Sequence, residues 1–187
     1  PPLAAPGESI DAKAWRVEGQ ADLRDFEFER GGRIAAYAQQ RDAGFSAPGQ
    51  LAYNETKQAG GSAALPIGER TELKLKADRR DEANGFDTDA AEVQLGHQIT
   101  PQWKLGASLR QDSKTTDALV TNPLLAPGSA VEGDRTDLAL QLDYDSQESW
   151  GAYVFGQGTL DSSGTRRDND RAGLGGRYRL NDKLALN

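Results

Sequence analysis

Charged side chains occupy alternate positions of residues 71–80, whose sequence is TELKLKADRR. Glu72, Lys74 and Asp78 are separated by apolar residues such as Leu73 and Leu75. Successive side chains of a β-strand point to opposite faces, so this spacing gathers carboxylates and ammonium groups on one face. Such a face can bind polar or charged solutes in water, or it can pair its own charges across neighbouring strands.

The same alternation continues along the chain and predicts one shared charged face. Its candidate members, interpreted as lumen-lining residues, are Glu72, Lys74, Lys76, Asp78, Glu92, Lys104, Arg110, Asp137, Asp143, Arg177 and Arg179. One interpretation is the wall of a water-filled pore that selects solutes. The other is a closed interior that cross-strand ion pairs stabilise. Both remain open, because the sequence does not fix the bore.

Catalytic chemistry has little support in this sequence. His97 is the single histidine, and its place in the apolar phase beside a short turn favours an interfacial or neighbour-packed imidazole. Serines such as Ser108 have no other histidine to activate them, and cysteine is absent. We therefore expect no enzyme activity, no catalytic residue and no cofactor.

Two acidic segments contain oxygen ligands suited to calcium, at residues 81–89 (DEANGFDTD) and 161–170 (DSSGTRRDND). Neither has the calcium-loop register with its closing glutamate, so we expect solvated surface loops and no metal site. The glycines of residues 173–176 (GLGG) resemble part of a dinucleotide fingerprint, but no helix follows them. We expect these glycines to relieve crowding within a strand.

Composition narrows the class of protein. Only 36% of the 187 residues are hydrophobic, the mean hydropathy is −0.71, and glycine occurs 21 times, so a conventional soluble core would be thin. No run approaches the roughly 18 apolar residues of a membrane helix, and any membrane crossing would therefore use closed strands. The net charge of −7 disfavours nucleic acid as a partner, since phosphate binding needs a basic face.

The two-residue periodicity predicts an all-β, antiparallel meander of about ten strands. Residues 1–12, rich in Pro, Gly and Ala, are predicted as an N-terminal linker, and residues 13–187 as strands, the last of them incomplete. The predicted strands are 13–28, 33–42, 55–65, 71–80, 88–99, 103–112, 134–144, 149–160, 170–180 and 183 onward.

The predicted connections alternate in length. Short ones fall near 30–32, 66–70, 100–102, 145–148 and 181–182. Longer ones fall near 44–54, 81–87, 113–133 and 161–169. Short turns at one end and long loops at the other are typical of bacterial outer-membrane barrels.

Aromatic residues in the apolar phase mark the strand ends beside the short turns. They predict an aromatic girdle at a membrane interface, consisting of Trp103, Tyr144, Trp150 and Tyr178. Beyond the girdle we expect about five apolar residues per strand, enough for the roughly 25 Å band of such barrels. Ala35, Tyr37, Tyr153 and Phe155 depart from this pattern, because they fall in the charged phase.

Residues 95–110 (LGHQITPQWKLGASLR) and 175–186 (GGRYRLNDKLAL) resemble the strand, turn, strand units of Gram-negative outer-membrane β-barrels. Residues 36–50 (AYAQQRDAGFSAPGQ) are similar to hairpin tops in very large barrel proteins whose barrel follows extracellular-type repeat modules. The resemblance implies an antiparallel transmembrane β-barrel, or a sector of a larger one, in a bacterial outer membrane. The implied partners are outer-membrane lipid, lipopolysaccharide, and further strands of the same or another chain.

Two functions follow from that class: a porin-like pore for transport, or the membrane anchor of a larger surface or secretion assembly. The alternative is a soluble periplasmic or secreted β-sandwich or lipocalin-like binding module, with the apolar face as its core. Periodicity alone permits this inversion. The many Ala and Gly residues, the unequal loop lengths and the aromatics beside the turns favour the membrane barrel.

Overall fold

The computed structural model describes residues 11–47, 50–83, 85–116, 132–181 and 184–186, and most of these lie in β-strands. The strands are β1 (Ala14–Asp22), β2 (Arg33–Arg41), β3 (Ser46–Ala47), β4 (Gln50–Leu51), β5 (Thr56–Pro66), β6 (Thr71–Glu82), β7 (Phe86–Gln98), β8 (Trp103–Thr116), β9 (Gly133–Asp145), β10 (Trp150–Ser162), β11 (Arg171–Asn181) and β12 (Leu184–Leu186). Within this part of the chain, no helix is long and apolar enough to cross a membrane.

Ten of the strands form one antiparallel sheet in the order β1-β2-β5-β6-β7-β8-β9-β10-β11-β12. The strands β3 and β4 form a separate hairpin within the connection from β2 to β5. Tight turns close the shorter connections: the Ile67 amide donates to the Thr71 carbonyl at 3.0 Å, and the Ile99 amide to the Trp103 carbonyl at 2.9 Å. The predicted all-β antiparallel meander of ten strands is confirmed. Most of the predicted linker, residues 1–10, lies outside the described residues.

Alternate connections leave opposite ends of an antiparallel sheet. One end, called the turn end here, carries connections 23–32, 67–70, 99–102 and 146–149. The other, the loop end, carries connections 42–55, 83–85 and 163–170. The predicted connections 113–133 and 181–182 fall largely on residues 117–131 and 182, which lie outside the described residues. The other connections follow the predicted segregation by length with two exceptions: connection 83–85 is short because β6 and β7 extend further than predicted, and connection 23–32 is longer than the predicted turn.

The first strand ends at Asp22, whereas the sequence pattern predicts a strand to residue 28. Asp22 Oδ1 accepts a hydrogen bond from the Arg24 amide at 2.9 Å, and the chain turns into a short 3-10 helix, Leu23–Phe26. Glu27 follows with φ of 65°, and Gly32, with φ of 135°, returns the chain to β2. The predicted strand end is wrong because apolar and polar residues continue to alternate after Asp22. A capping aspartate can end a strand without breaking this two-residue pattern.

Register gives the sheet two faces of opposite character. On the apolar face Leu75 lies opposite Val93, and on the polar face Lys76 lies opposite Glu92. The same parity holds through the central strands, because β5 to β9 pair without a register shift. Each strand in the centre of the sheet therefore contributes to one continuous apolar surface and one continuous polar surface.

The most buried side chains of the described sheet are polar. Among the described residues no hydrophobic residue is buried, whereas Asp112 and Asp137 are each only 4% exposed. On the apolar face, Leu140 is 51% exposed and Leu174 is 84% exposed. The described strands provide no second layer over this face. The sheet thus has an open apolar face and a polar face that encloses a few of its carboxylates, while other charges of the polar face, such as Lys74 and Arg177, stay exposed.

Charged residues limit the apolar face toward the loop end. On β6 the apolar positions Leu73, Leu75 and Ala77 are followed on the same face by Arg79, whose Nε lies 3.8 Å from Asp89 Oδ1. Both partners of this pair are exposed. The apolar stretch of β6 is therefore shorter than the expected five residues, and the strands continue past it into a charged zone.

Candidate functional site on the polar face

All eleven charged residues singled out in the sequence share the polar face. Four of them form one cross-strand row, in which Lys76 faces Glu92, Glu92 faces Arg110, and Arg110 faces Asp137. The remaining members of this face are Glu72, Lys74, Asp78, Lys104, Asp143, Arg177 and Arg179. Their grouping follows from the register, and their role as the lining of a lumen stays a prediction.

The most enclosed charges, Asp112, Asp137 and Arg166, belong to what we call the Asp112 cluster. Its members are Glu92, Arg110, Asp112, Arg135, Asp137, Thr159 and Arg166. Asp112 lies 3.6 Å from Arg135 and 3.8 Å from Arg110, and it also pairs with Arg166. The side chains of Asp112 and Arg166 are 6% and 4% exposed, so water screens this ion pair little. The polar face therefore contains ion pairs between neighbouring strands, as between Asp112 on β8 and Arg135 on β9.

Each remaining charge in the cluster also has a partner of opposite sign or a hydrogen bond. Arg135 Nε lies 2.9 Å from Asp137 Oδ2, and Asp137 Oδ1 accepts a hydrogen bond from the Thr159 hydroxyl at 2.7 Å. Arg110 lies 3.6 Å from Glu92. Each arginine of the cluster pairs with a carboxylate, so little unpaired charge is left. These ion pairs join β7, β8, β9 and connection 163–170.

The connection 163–170 folds onto the polar face and supplies Arg166 to the Asp112 cluster. Its backbone is tied to the start of β9, where the Ser163 amide donates to the Asp134 carbonyl at 3.0 Å. From the same loop, Arg166 reaches across β9 to Asp112 on β8. This ion pair holds the loop over the polar face, so the loop narrows the space in front of it.

The sequence pattern did not single out four members of the cluster, namely Asp112, Arg135, Arg166 and Thr159. Parity could have found the first two, because they lie two positions from Arg110 and Asp137 on the same strands. Arg166 has no comparable signal, since it sits in a loop beside a second arginine.

A second set of polar side chains connects β1, β2, β5 and β6. Gln58 Nε2 donates to Asp78 Oδ1 at 3.0 Å and to Tyr37 Oη at 2.8 Å, and the Tyr37 hydroxyl donates to Asp78. Gln39 Nε2 donates to Gln58 Oε1 at 2.7 Å, and Arg16 donates to Gln39 at 3.1 Å. These bonds brace the first strands of the sheet as the Asp112 cluster braces the later ones.

Other candidate residues make exposed pairs. Lys74 Nζ lies 3.2 Å from Glu72 Oε2, and Arg177 pairs with Asp145. Exposed pairs of this kind contribute at most about 1 kcal/mol. Lys104 faces Asp143 in the register, but no described carboxylate forms an ion pair with it. Lys104 and the exposed pairs at Glu72 and Arg177 therefore leave charge available to a solute near the turn end.

Glycines make room for the aromatic rings that fall on the polar face. A Cβ at Gly175 would lie 2.6 Å from Tyr153 Oη, and one at Gly173 would lie 2.5 Å from Phe155 Cε1. Each ring leans over the glycine directly opposite it on β11. These two glycines relieve crowding, as the sequence analysis predicts, and they explain why bulky rings are tolerated in the charged phase.

Gly175→Ala is expected to lower the free energy of unfolding by about 1–3 kcal/mol, because the added methyl group overpacks against the Tyr153 ring. Gly156→Ala is the matched control, since no atom lies within 4 Å of a Cβ added there. Denaturant unfolding of both variants measures the difference. Equal stability of the two variants would contradict the packing of the ring over the glycine.

The four girdle aromatics meet at the turn end of the apolar face. Ring centroids lie 4.9 Å apart for Trp103 and Tyr144, and 4.8 Å apart for Tyr144 and Trp150. Trp150 faces Tyr178 across the strand pair. This geometry builds a contiguous aromatic patch, and its position at a membrane interface stays a prediction.

Further exposed apolar residues surround the turn end. Phe26 and Phe28 are 61% and 59% exposed in connection 23–32, and Ile67 and Ile99 lie exposed in the next turns. The two-residue alternation predicts a strand over both phenylalanines, and that prediction is wrong for this connection. His97 lies on the same face near this end, with Nδ1 2.8 Å from the Thr71 hydroxyl oxygen.

Sheet order and polarity together describe an antiparallel β-meander with an apolar outer side, which fits the class of outer-membrane barrel proteins. No protein-family model matches the sequence, and no curated protein matches it. Among solved structures the chain is similar to a KdgM porin, with a TM-score of 0.25 and 9% sequence identity over 91% of this chain and 99% of that chain. A likeness this distant transfers neither residue roles nor activity.

Proposed function

We propose that the chain is an outer-membrane β-barrel protein of a Gram-negative bacterium, or a sector of a larger barrel, and acts as a porin-like conduit for polar solutes. The inversion of burial supports this proposal: aspartates are enclosed while leucines such as Leu140 and Leu174 are open. Lipid can cover the apolar face, and water can fill the space before the polar face. A soluble module would need another layer over its leucines.

A sheet in a membrane also needs partners for its edges. In the described residues, β1 pairs with β2 only and β12 pairs with β11 only. Hydrocarbon cannot satisfy the backbone groups of an open edge. We therefore propose that the edges pair with each other or with further strands of the same or another chain.

Electrical recording from the purified protein in planar lipid bilayers tests the conduit. We expect discrete current steps, and we expect Gln141→Arg, which adds a cation to the polar face, to change their size or ion preference. Stable insertion without current would instead indicate a membrane anchor. A protein that stays in buffer without detergent would be the soluble module.

Labelling of single cysteines tests the orientation, and the absence of native cysteine gives a clean background. Arg167→Cys and Tyr53→Cys at the loop end are expected to react with an impermeant reagent on intact cells. Glu69→Cys and Glu148→Cys at the turn end are expected to react only after the outer membrane is opened. Equal labelling of all four variants on intact cells would contradict the proposed topology.

A further inference from the structure

Two aromatic side chains interrupt the charged polar face toward the turn end. Tyr153 and Phe155 occupy successive polar-face positions of β10, with ring centroids 6.4 Å apart and planes inclined by 28°. We call this pair the aromatic stripe. Tyr153 is 43% exposed even though its ring leans over Gly175. The glycines therefore support the rings from the β11 side and leave ring surface open to a solute.

Hydrogen-bonding groups flank the aromatic stripe on the next strands. Gln141 lies opposite Phe155, Asp143 lies opposite Tyr153, and Lys104 lies opposite Asp143. Gln141 Nε2 donates to Asp143 Oδ1 at 2.7 Å, which leaves the amide oxygen and the other carboxylate oxygen as acceptors. The Lys104 ammonium adds donors. With Tyr153, these three residues contribute to the lining of a groove of about 750 Å³, and with Phe155 they contribute to a second groove of about 380 Å³.

This combination of groups matches the chemistry of a sugar ring. A pyranose has a C–H face that packs on an aromatic ring, and its rim of hydroxyls both donates and accepts hydrogen bonds. Amide, carboxylate and ammonium groups beside two rings can meet both surfaces at once. Lys104 and Asp143 have opposite charges, and the other two charged residues of the groove, Asp145 and Arg177, form an ion pair, so the groove does not require a charged ligand.

We propose that the aromatic stripe, with Lys104, Gln141 and Asp143, is a binding site for neutral saccharides. This site adds a class of solute to the proposed conduit function. The proposal rests on that function only in one respect, namely that the conduit would deliver the sugar to the site. Binding itself requires the folded sheet and can be measured without any current. The competing explanation is that the rings only fill the space above their glycines.

Leucine substitutions separate the two explanations. Tyr153→Leu and Phe155→Leu keep apolar bulk above Gly175 and Gly173 but remove the flat ring faces. Tyr37→Leu is the matched control, because Tyr37 also leans over a glycine of the polar face, with Cε1 2.8 Å from a Cβ built at Gly60. Tyr37 lies on β2, in a different part of the sheet from the aromatic stripe.

The experiment titrates the detergent-solubilised full-length protein with maltohexaose by calorimetry and records saturation transfer from aromatic protons to the sugar. We expect the dissociation constant to rise by about tenfold or more in each stripe variant and to stay unchanged in Tyr37→Leu. Polyethylene glycol of matched mass, which has no pyranose face, should not bind.

Unchanged affinity in Tyr153→Leu and Phe155→Leu would overturn the saccharide site, as would the absence of maltohexaose binding to the unaltered protein at millimolar concentrations. Bilayer recording of the same preparations distinguishes the two proposals. Sugar binding without current would remove the conduit and keep the site. Current without sugar binding would keep the conduit and remove the site.

Discussion

Leu140→Arg is expected to lower the free energy of unfolding of the membrane-embedded protein by about 2–4 kcal/mol. Leu140 lies within β9 on the apolar face, 51% exposed, with Ala107 and Gly156 as its cross-strand neighbours. An arginine there would place a cation in hydrocarbon, where no described acidic side chain of this face is directly opposite. Denaturant unfolding from lipid vesicles measures the loss.

Gln141→Arg is the control for that experiment, because it moves the same substitution by one residue onto the polar face. Asp143 lies on the same face, and Gln141 itself is exposed, so we expect little loss of stability. A soluble sandwich would also be harmed by Leu140→Arg, and stability alone does not separate the classes. A spin label at residue 140 should meet lipid-soluble oxygen but not a polar relaxation agent. Shielding from both agents would reject lipid exposure.

Asp112→Ala is expected to cost about 3–5 kcal/mol, the usual penalty for breaking an enclosed ion pair. The change removes the carboxylate that faces three arginines and leaves Arg166, whose side chain is 4% exposed, without its acidic partner. Repulsion among Arg110, Arg135 and Arg166 then adds to the desolvation penalty. Denaturant unfolding gives the cost, and amide hydrogen exchange should increase in connection 163–170 because the loop has lost its attachment.

Asp89→Ala provides the comparison for Asp112→Ala. Asp89 also pairs with an arginine, but its side chain is 55% exposed and that of Arg79 is 64% exposed. Removal of an exposed pair is expected to change stability by about 1 kcal/mol or less. If the two alanine variants unfolded alike, the Asp112 cluster would have no special role in stability. Unaltered exchange in connection 163–170 would show that Arg166 does not hold the loop.

Much of the sheet could be predicted because its strands obey a strict two-residue period. Thr71 and Trp103 begin β6 and β8 at the positions that the sequence predicts. Alternation also assigned the charged residues to one face, since a strand offers only two faces. Tyr153 and Phe155 were placed correctly in the charged phase, but their explanation required the glycines on the neighbouring strand, which the sequence does not align with them.

The parts that the sequence could not predict depend on contacts between distant residues. Asp22 ends β1 through a local hydrogen bond that leaves the alternation intact. Arg166 belongs to the Asp112 cluster only because its loop folds back across β9. Alternation also treats Asp112 and Arg177 alike, although one is enclosed and the other exposed. The burial of a side chain within a face depends on its neighbours on adjacent strands and on loops that fold over the face. The two-residue period carries no information about either.

The limited height of the apolar face has a consequence for the kind of bilayer that suits this protein. On β8 the apolar face runs from Trp103 to Leu109, a distance of about 20 Å along the strand. Toward the loop end, the Arg79 and Asp89 pair marks the start of the charged zone. A thicker bilayer would draw these charges into hydrocarbon or force the lipid to thin around them. Under the proposed placement, stability should therefore fall as the acyl chains of the host lipid lengthen.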